Sequence, residues 1–167
     1  MALLTPGDYD IIDRAVIDEE QGWYYFYASP ANGTQKYLYR VALDGSGQKQ
    51  RITPENQPGT HRYVFSPDAK WAVHTYSTLN LPPVHELIEV ETHRVVSLLE
   101  DNYLIRERMQ SISCQPAEFL KLDIGDGITF DAWMLKPRDF DASKKYALFI
   151  YVYGEPHAQT VLDERCV

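Results

Sequence analysis

Cysteine is scarce in this 167-residue chain: Cys114 and Cys166 are the only two. They do not make a disulfide framework, and Cys114 reads as a small apolar side chain or a free thiol. Cations are also few, with 16 Lys and Arg against 24 Asp and Glu for a net charge of −8. They form no patch, which argues against a nucleic-acid partner, because phosphate backbones are held by clustered cations. No apolar run approaches the ~18 residues that a membrane-spanning helix needs. The opening Met1-Ala-Leu-Leu-Thr-Pro6 has neither the basic start nor the apolar stretch of a secretory signal. Asp8, Asp10, Asp13 and Asp18 are too loosely spaced for a calcium loop. His85 and His93 have no Cys or carboxylate at ligand spacing, so no metal and no cofactor is expected.

Aromatic residues are abundant, with 12 Tyr and 3 Trp, and they favour pleated, half-buried surfaces. Trp23-Tyr-Tyr-Phe-Tyr-Ala-Ser29 reads as a strand, Pro30 to Gly33 as a turn, and Gln35-Lys-Tyr-Leu-Tyr-Arg-Val41 as a second strand. Asp44-Gly-Ser-Gly47 turns the chain again before the short Gln50-Arg-Ile-Thr53. Asx-Gly pairs between alternating apolar runs are strong hairpin signals, so this is an antiparallel meander.

The pattern recurs downstream. Phe65-Ser-Pro-Asp68 leads into Trp71-Ala-Val-His-Thr-Tyr-Ser77, a break is expected at Pro82-Pro83, and Val84 to Val90 and Val95 to Leu99 complete the unit. Trp23 and Trp71 stand 48 positions apart, as do Ser29 and Ser77. Four-stranded units at a period of roughly 40–50 residues are the signature of β-propeller blades. Two blades cannot bury both faces alone, so neighbouring blades are expected beyond them.

The character changes after Leu99-Glu-Asp-Asn102. Residues 102 to 109 are charged and permit a helix capped by Asn102 or Asp101. Glu118 to Ile124, a turn at Gly125-Asp-Gly127, and Ile128 to Leu135 read as a hairpin. Ala147 to Val152 is a continuous apolar run, the pattern of a strand covered on both faces in an α/β sheet. It breaks into Tyr153-Gly-Glu-Pro156, where an α/β enzyme begins to build its active site. The sequence continues only to Val167, so most of the machinery served by such a turn is expected outside it.

These residues carry a family resemblance. Trp23 to Pro30, Gln35 to Val41, Pro58-Gly-Thr-His61, Phe65-Ser-Pro-Asp68, Leu98-Leu-Glu-Asp-Asn102, Trp133-Met-Leu-Lys-Pro137, Phe140 to Tyr146 and Tyr151-Val-Tyr-Gly-Glu-Pro156 occur in order along nearly the whole chain. Together they resemble the dipeptidyl peptidase IV branch of the prolyl oligopeptidase family, particularly its bacterial members. The resemblance implies a fold class: mainly β, with about two antiparallel four-stranded β-propeller blades followed by the opening strands of an α/β-hydrolase domain. It divides the chain into propeller at 1–101 and truncated hydrolase at 102–167. It further implies a longer parent that is a serine exopeptidase, periplasmic or secreted, acting on peptide substrates by removing N-terminal dipeptides with Pro or Ala in second position. The parent could be a homodimer, through surfaces mostly outside this stretch.

In an α/β-hydrolase the triad runs Ser, Asp, His, with the Ser in a Gly-x-Ser-x-Gly elbow. No elbow exists here; Gly45-Ser-Gly47 lies in a hairpin turn and lacks the spacing. The five His are scattered and no triad assembles, so this chain alone is expected to be inactive. One site residue carries over from the resemblance: Tyr153, whose hydroxyl would donate to the tetrahedral oxyanion. The bland alternative is a strand-end Tyr packing its ring under the turn, and Tyr151, on the opposite strand face, is expected in the core. Glu155 departs from the Gly-Gly-Pro or Ala-Gly-Pro turn of many relatives but leaves Tyr153 in register. Glu19-Glu20 is read as a solvated turn, Asn32-Gly-Thr34 as a hairpin turn and not a glycan site, and Pro58 to His61 as an inter-blade connection. A stand-alone β-rich binding module is the competing reading; it predicts capped blade edges.

Overall fold

The computed structural model describes residues 3–111, 115–154 and 159–165. Cys114, Cys166, and Glu155, Pro156 and His157 of the expected turn lie outside the described residues. The first sheet comprises β1 (Ile11–Asp18), β2 (Trp23–Ala28), β3 (Tyr37–Ala42) and the two-residue β4 (Gln50–Arg51), antiparallel and in sequence order. The second comprises β5 (Thr60–Phe65), β6 (Trp71–Thr78), β7 (Leu81–Glu89) and β8 (Arg94–Glu100), again in sequence order. The 48-residue offset is a structural repeat: shifting β1, β2, β3 and β4 by that amount lands each on β5, β6, β7 and β8 in turn. Trp23 and Trp71 each open the second strand of their sheet.

Two strands escape the sequence pattern. In β1, register shifts fall between Ile11 and Asp13 and between Arg14 and Val16. Each inserted residue reverses the inside–outside alternation on which a periodic reading depends. In β5, the strand begins immediately after Gly59, so Thr60 and His61 belong to it and are not a connection. Gly59 has φ +127°, and any Cβ there would lie 2.4 Å from the Ser77 carbonyl oxygen. Only glycine permits this close approach. The same segment stitches the sheets together: Lys36 N–H donates to the Gly59 carbonyl (3.2 Å) and His61 N–H to the Lys36 carbonyl (3.0 Å).

The expected break at Pro82-Pro83 is also corrected. Both prolines lie inside β7, at its start and opposite the register shift between Tyr76 and Thr78. A proline offers no N–H to a ladder, and a strand start or bulge is where that omission is tolerated. Helix α1 (Tyr103–Ser111) follows. Asn102 provides the first helical carbonyl, accepting from Arg106 N–H, while the Asp101 carboxylate caps Tyr103 N–H at 3.0 Å. The Asn102 amide instead donates to the Pro83 carbonyl at 2.8 Å, fixing the helix start to β7. This helix is the only one among the described residues, and it is not long and apolar enough to cross a membrane.

Between the sheets lies a core of Tyr25, Tyr27, Leu38, Tyr63, Ala72, Ile88 and Val90. On the other side of the first sheet, Phe26, Tyr37, Tyr39 and Val41 are covered by Leu4 and Tyr9 from the N-terminal segment. Each fully buried side chain of this size contributes about 1.5–3 kcal/mol. Arg40 joins the units further, lying 4.1 Å over the Trp23 ring and gripping both Glu91 carboxylate oxygens.

The hairpin forms as expected from β9 (Glu118–Asp123) and β10 (Thr129–Met134), closed by Gly125, Asp126 and Gly127. The final apolar run does not form the expected strand. Residues 145–154 adopt no regular structure, and Leu148 and Phe149 are 80% and 88% exposed. A strand exists only through a paired neighbour, and no strand among the described residues pairs with this run. Tyr151, expected in the core, is exposed for the same reason.

Candidate functional site

Tyr153 ends the irregular run with its side chain partly exposed and no hydrogen bond drawn to it among the described residues. Earlier in the same segment, the Asp141 carboxylate accepts from Ser143 N–H at 3.0 Å, and the Tyr146 hydroxyl accepts from Asp141 N–H at 2.9 Å. Lys136 pairs with Glu118 across the hairpin base. Glu19 and Glu20 occupy the exposed turn between β1 and β2. The Asn32 side chain is engaged in its own turn, accepting from Thr34 N–H (3.0 Å) and hydroxyl (2.8 Å). His85 bonds Thr75 across strands at 2.9 Å. Among the described residues no group of three or more His, Cys, Asp or Glu is arranged to hold a metal ion.

What the sequence reading missed lies between the sheets. Scattered in sequence, His61, His74 and His93 are brought together with Tyr63, Thr53 and Glu86, all buried. Register makes the cluster: His61 faces Tyr76, Tyr63 faces His74, and His74 faces Glu86, so alternate residues of β5, β6 and β7 share one face. The His61 and His74 rings are parallel to within 2° with centroids 5.2 Å apart, and Tyr63 stacks on His74 at 4.6 Å. The available signal was the pair of His-x-aromatic alternations, His61-x-Tyr63 and His74-x-Tyr76, but β5 was hidden.

Donor counting fixes the protons. The Gln57 carbonyl can only accept, so His61 Nε2 donates to it at 3.0 Å, leaving Nδ1 to accept from His74 Nε2 at 2.9 Å. His74 Nδ1 then meets Glu86 Oε2 at 3.2 Å, and one proton must lie between them. Burial pushes His61 down to about 3 and His74 down to about 2, and it pushes Glu86 up. Burial thus disfavours the charged form of all three groups and keeps both imidazoles neutral. A second relay runs from Leu38 N–H to the Thr53 hydroxyl (2.9 Å), on to the Tyr63 hydroxyl (2.9 Å) and to His93 Nε2 (2.8 Å). Burial lowers His93 and raises Tyr63, so this relay is uncharged too. The network joins strands β5, β6 and β7 to Thr53 and, through it, to β3 of the first sheet.

Residues 2–83 match the model of the dipeptidyl peptidase IV N-terminal region. The chain is 34% identical over 165 residues to "Probable dipeptidyl-aminopeptidase B" of Aspergillus clavatus, covering 95% of this chain and 17% of that protein. It is 30% identical over 162 residues to dipeptidyl-aminopeptidase B of Aspergillus niger, covering 95% and 18%. The crystal structure of Porphyromonas gingivalis dipeptidyl peptidase 4 superposes with a TM-score of 0.88 at 26% identity, covering 96% of this chain and 22% of that one. The chain thus spans less than a fifth of the length of these curated relatives. Its two four-stranded sheets correspond to β-propeller architecture, and by sequence and fold together the chain belongs to the dipeptidyl peptidase IV branch of the prolyl oligopeptidase family.

Proposed function

We propose that this chain is part of a serine exopeptidase that removes N-terminal dipeptides, with Pro or Ala at the second position, and that Tyr153 is its oxyanion donor. Residues 1–101 supply the last blades of the propeller, and residues 102–167 open the hydrolase domain. The Ser, Asp and His of the triad are supplied by other parts of the complete polypeptide, so the 167 residues alone do not hydrolyse peptides.

The observation that supports this reading is the similarity to dipeptidyl peptidases across nearly the whole chain. The chemistry is suited to the residue. As an acyl transfer passes through its tetrahedral intermediate, the former carbonyl oxygen gains negative charge. A phenolic O–H aimed at that oxygen stabilises the charge where it develops, which lowers the barrier more than it aids substrate binding.

Tyr153→Phe, made in the polypeptide extended to the full length of the relatives, is expected to lower kcat by roughly 10²–10³ with KM little changed. The readout is steady-state release of an X-Pro dipeptide from a chromogenic substrate. An unchanged kcat removes the oxyanion role, and failure to release dipeptides at all removes the exopeptidase reading.

A further inference from the structure

We propose that Asn32 is a site of spontaneous covalent modification: the folded chain deamidates there through a cyclic imide closed by the Gly33 nitrogen, with Thr34 donating to the oxyanion. Of the four asparagines, Asn32, Asn56, Asn80 and Asn102, it alone precedes a glycine. Closure needs the nitrogen of the next residue to reach the side-chain carbon, and the Cβ of Gln57, Leu81 or Tyr103 crowds that approach at the other three. Two of those three are also engaged. The Asn80 side chain accepts from Ala117 N–H at 3.1 Å and donates to its carbonyl at 3.3 Å, and the Asn102 amide donates to the Pro83 carbonyl at 2.8 Å. Asn32 is exposed, and its Nδ2, the leaving group, donates to nothing among the described residues.

The hydrogen bonds of the turn activate both partners of the reaction. Asn32 Oδ1 accepts from Thr34 N–H (3.0 Å) and from the Thr34 hydroxyl (2.8 Å). This is a two-donor cradle for the oxygen that gains negative charge when Cγ is attacked. The main-chain carbonyl of Asn32 accepts from Gln35 N–H at 3.2 Å and from the Ser29 hydroxyl at 2.5 Å. These bonds draw electron density out of the Asn32–Gly33 peptide, which makes the Gly33 N–H easier to deprotonate. Nucleophile and electrophile share one turn, so the attack is intramolecular and most of its entropy is already lost on folding.

A second turn shows that such a cradle favours a negative oxygen. Asp44-Gly45-Ser46 repeats the arrangement, with Ser46 N–H (2.8 Å) and hydroxyl (2.6 Å) both donating to Asp44 Oδ1. The Ser46 hydroxyl and N–H together hold the Asp44 carboxyl below its ordinary range.

In the reaction, Gly33 loses its amide proton to solvent and its nitrogen bonds to Asn32 Cγ. The Cγ–Nδ2 bond breaks, and Nδ2 takes up a proton and leaves as ammonia. Water then opens the imide on either side, giving Asp or its β-linked isomer. Each event adds one negative charge to a chain already at −8. The β-linked isomer also lengthens the main chain by one atom just ahead of a joint between the sheets. There Asp163 N–H donates to the Thr34 carbonyl (2.7 Å), and its carboxylate accepts from the Gln35 side-chain amide (2.7 Å) and from Leu79 N–H (2.8 Å).

The test is peptide mapping of the polypeptide extended to the full length of the relatives and kept folded at neutral pH. The tryptic fragment from Ala15 to Lys36, in which Asn32 is the only asparagine, is followed for amide loss and for the β-linked product. Deamidation at Asn32 is expected to outrun that at Asn56, Asn80 and Asn102 by about tenfold or more. Gly33→Ala should abolish it without disturbing the turn, because a Cβ there meets nothing closer than 3.8 Å. Thr34→Val keeps the side-chain shape, removes the hydroxyl and should slow the reaction roughly tenfold, while Thr34→Ser should keep it near the parent rate. An Asn32 that stays amidated, or a Thr34→Val variant that reacts as fast as its parent or faster, overturns the proposal. Should Thr34→Val fail to fold, Ser29→Ala withdraws a donor from the Asn32 carbonyl and is expected to slow the same reaction; an unchanged rate then overturns it.

Discussion

The two sheets and the stretch after β10 are written in the same residues and behave oppositely. Phe26, Leu38 and Ile88 are fully buried, whereas Leu148, Phe149 and Ile150 stand 69–88% exposed. Hydrophobicity does not separate them, since the later run is the more continuously apolar of the two. Pairing does. Every strand from β1 to β8 has a hydrogen-bonded neighbour, and the face each pair creates is closed by the opposing sheet or the N-terminal segment. Among the described residues no strand lies beside 147–152, so no ladder forms there and their side chains stay exposed. Apolar composition marks a segment for burial, but burial happens only where partner backbone exists.

Four perturbations break or sharpen this contrast. The largest is Ile88→Ala, which opens a cavity between the sheets and is expected to cost 2–5 kcal/mol, read as a fall in the urea midpoint at unchanged slope. Acidification comes next. His61, His74 and His93 are all lowered by burial, and Lys36 and Arg51 from the first sheet press His61 the same way. The unfolded chain thus binds protons near pH 6.5 that the native chain refuses. Their contribution to stability is complete above that value and is lost as pH falls below it. Glu86, raised by burial, holds its proton to higher pH in the native state than in the unfolded chain, which offsets part of this loss. The net loss is about 1–3 kcal/mol per pH unit between roughly pH 6 and 5, checked by thermal melts across that range.

Smaller still is Glu86→Gln. An amide N–H can donate to His74 Nδ1 in place of the carboxyl group, so stability at pH 7 should change by less than about 1 kcal/mol. A buried imidazolium–carboxylate pair would instead lose about 3–5 kcal/mol on the same substitution. At the bottom of the scale, Phe149→Ser should change stability by no more than about 0.5 kcal/mol, because its ring is 88% exposed.

Much of the architecture was legible before any coordinates. The repeat linking Trp23 to Trp71, the hairpin around Gly125-Asp-Gly127 and the helix after Asp101 all rest on local signals, and all form. Strand β1 was not legible because its bulges scramble alternation, and β5 because Pro58-Gly59 looks like a turn and the strand starts directly after it. The missed imidazole network follows from the second failure. His61 and His74 are 13 residues apart, and only knowledge of β5 and its register shows that they meet. The joint at Asp163 was illegible for a different reason: its bonds to Gln35 and Leu79 span 128 and 84 residues, and no periodicity encodes them. Tyr153 is singled out by family resemblance alone, while its exposure comes from the coordinates.

The contrast between a closed two-sheet unit and an open apolar run is tested most directly by amide hydrogen exchange on the 167-residue chain. Amides of β2, β3, β6 and β7 should exchange orders of magnitude more slowly than those of Leu148 to Val152, which should exchange at nearly the rate of an unstructured peptide. Protection of residues 148–152 comparable to that of β6 would contradict the account, because it would require a paired strand where none is formed.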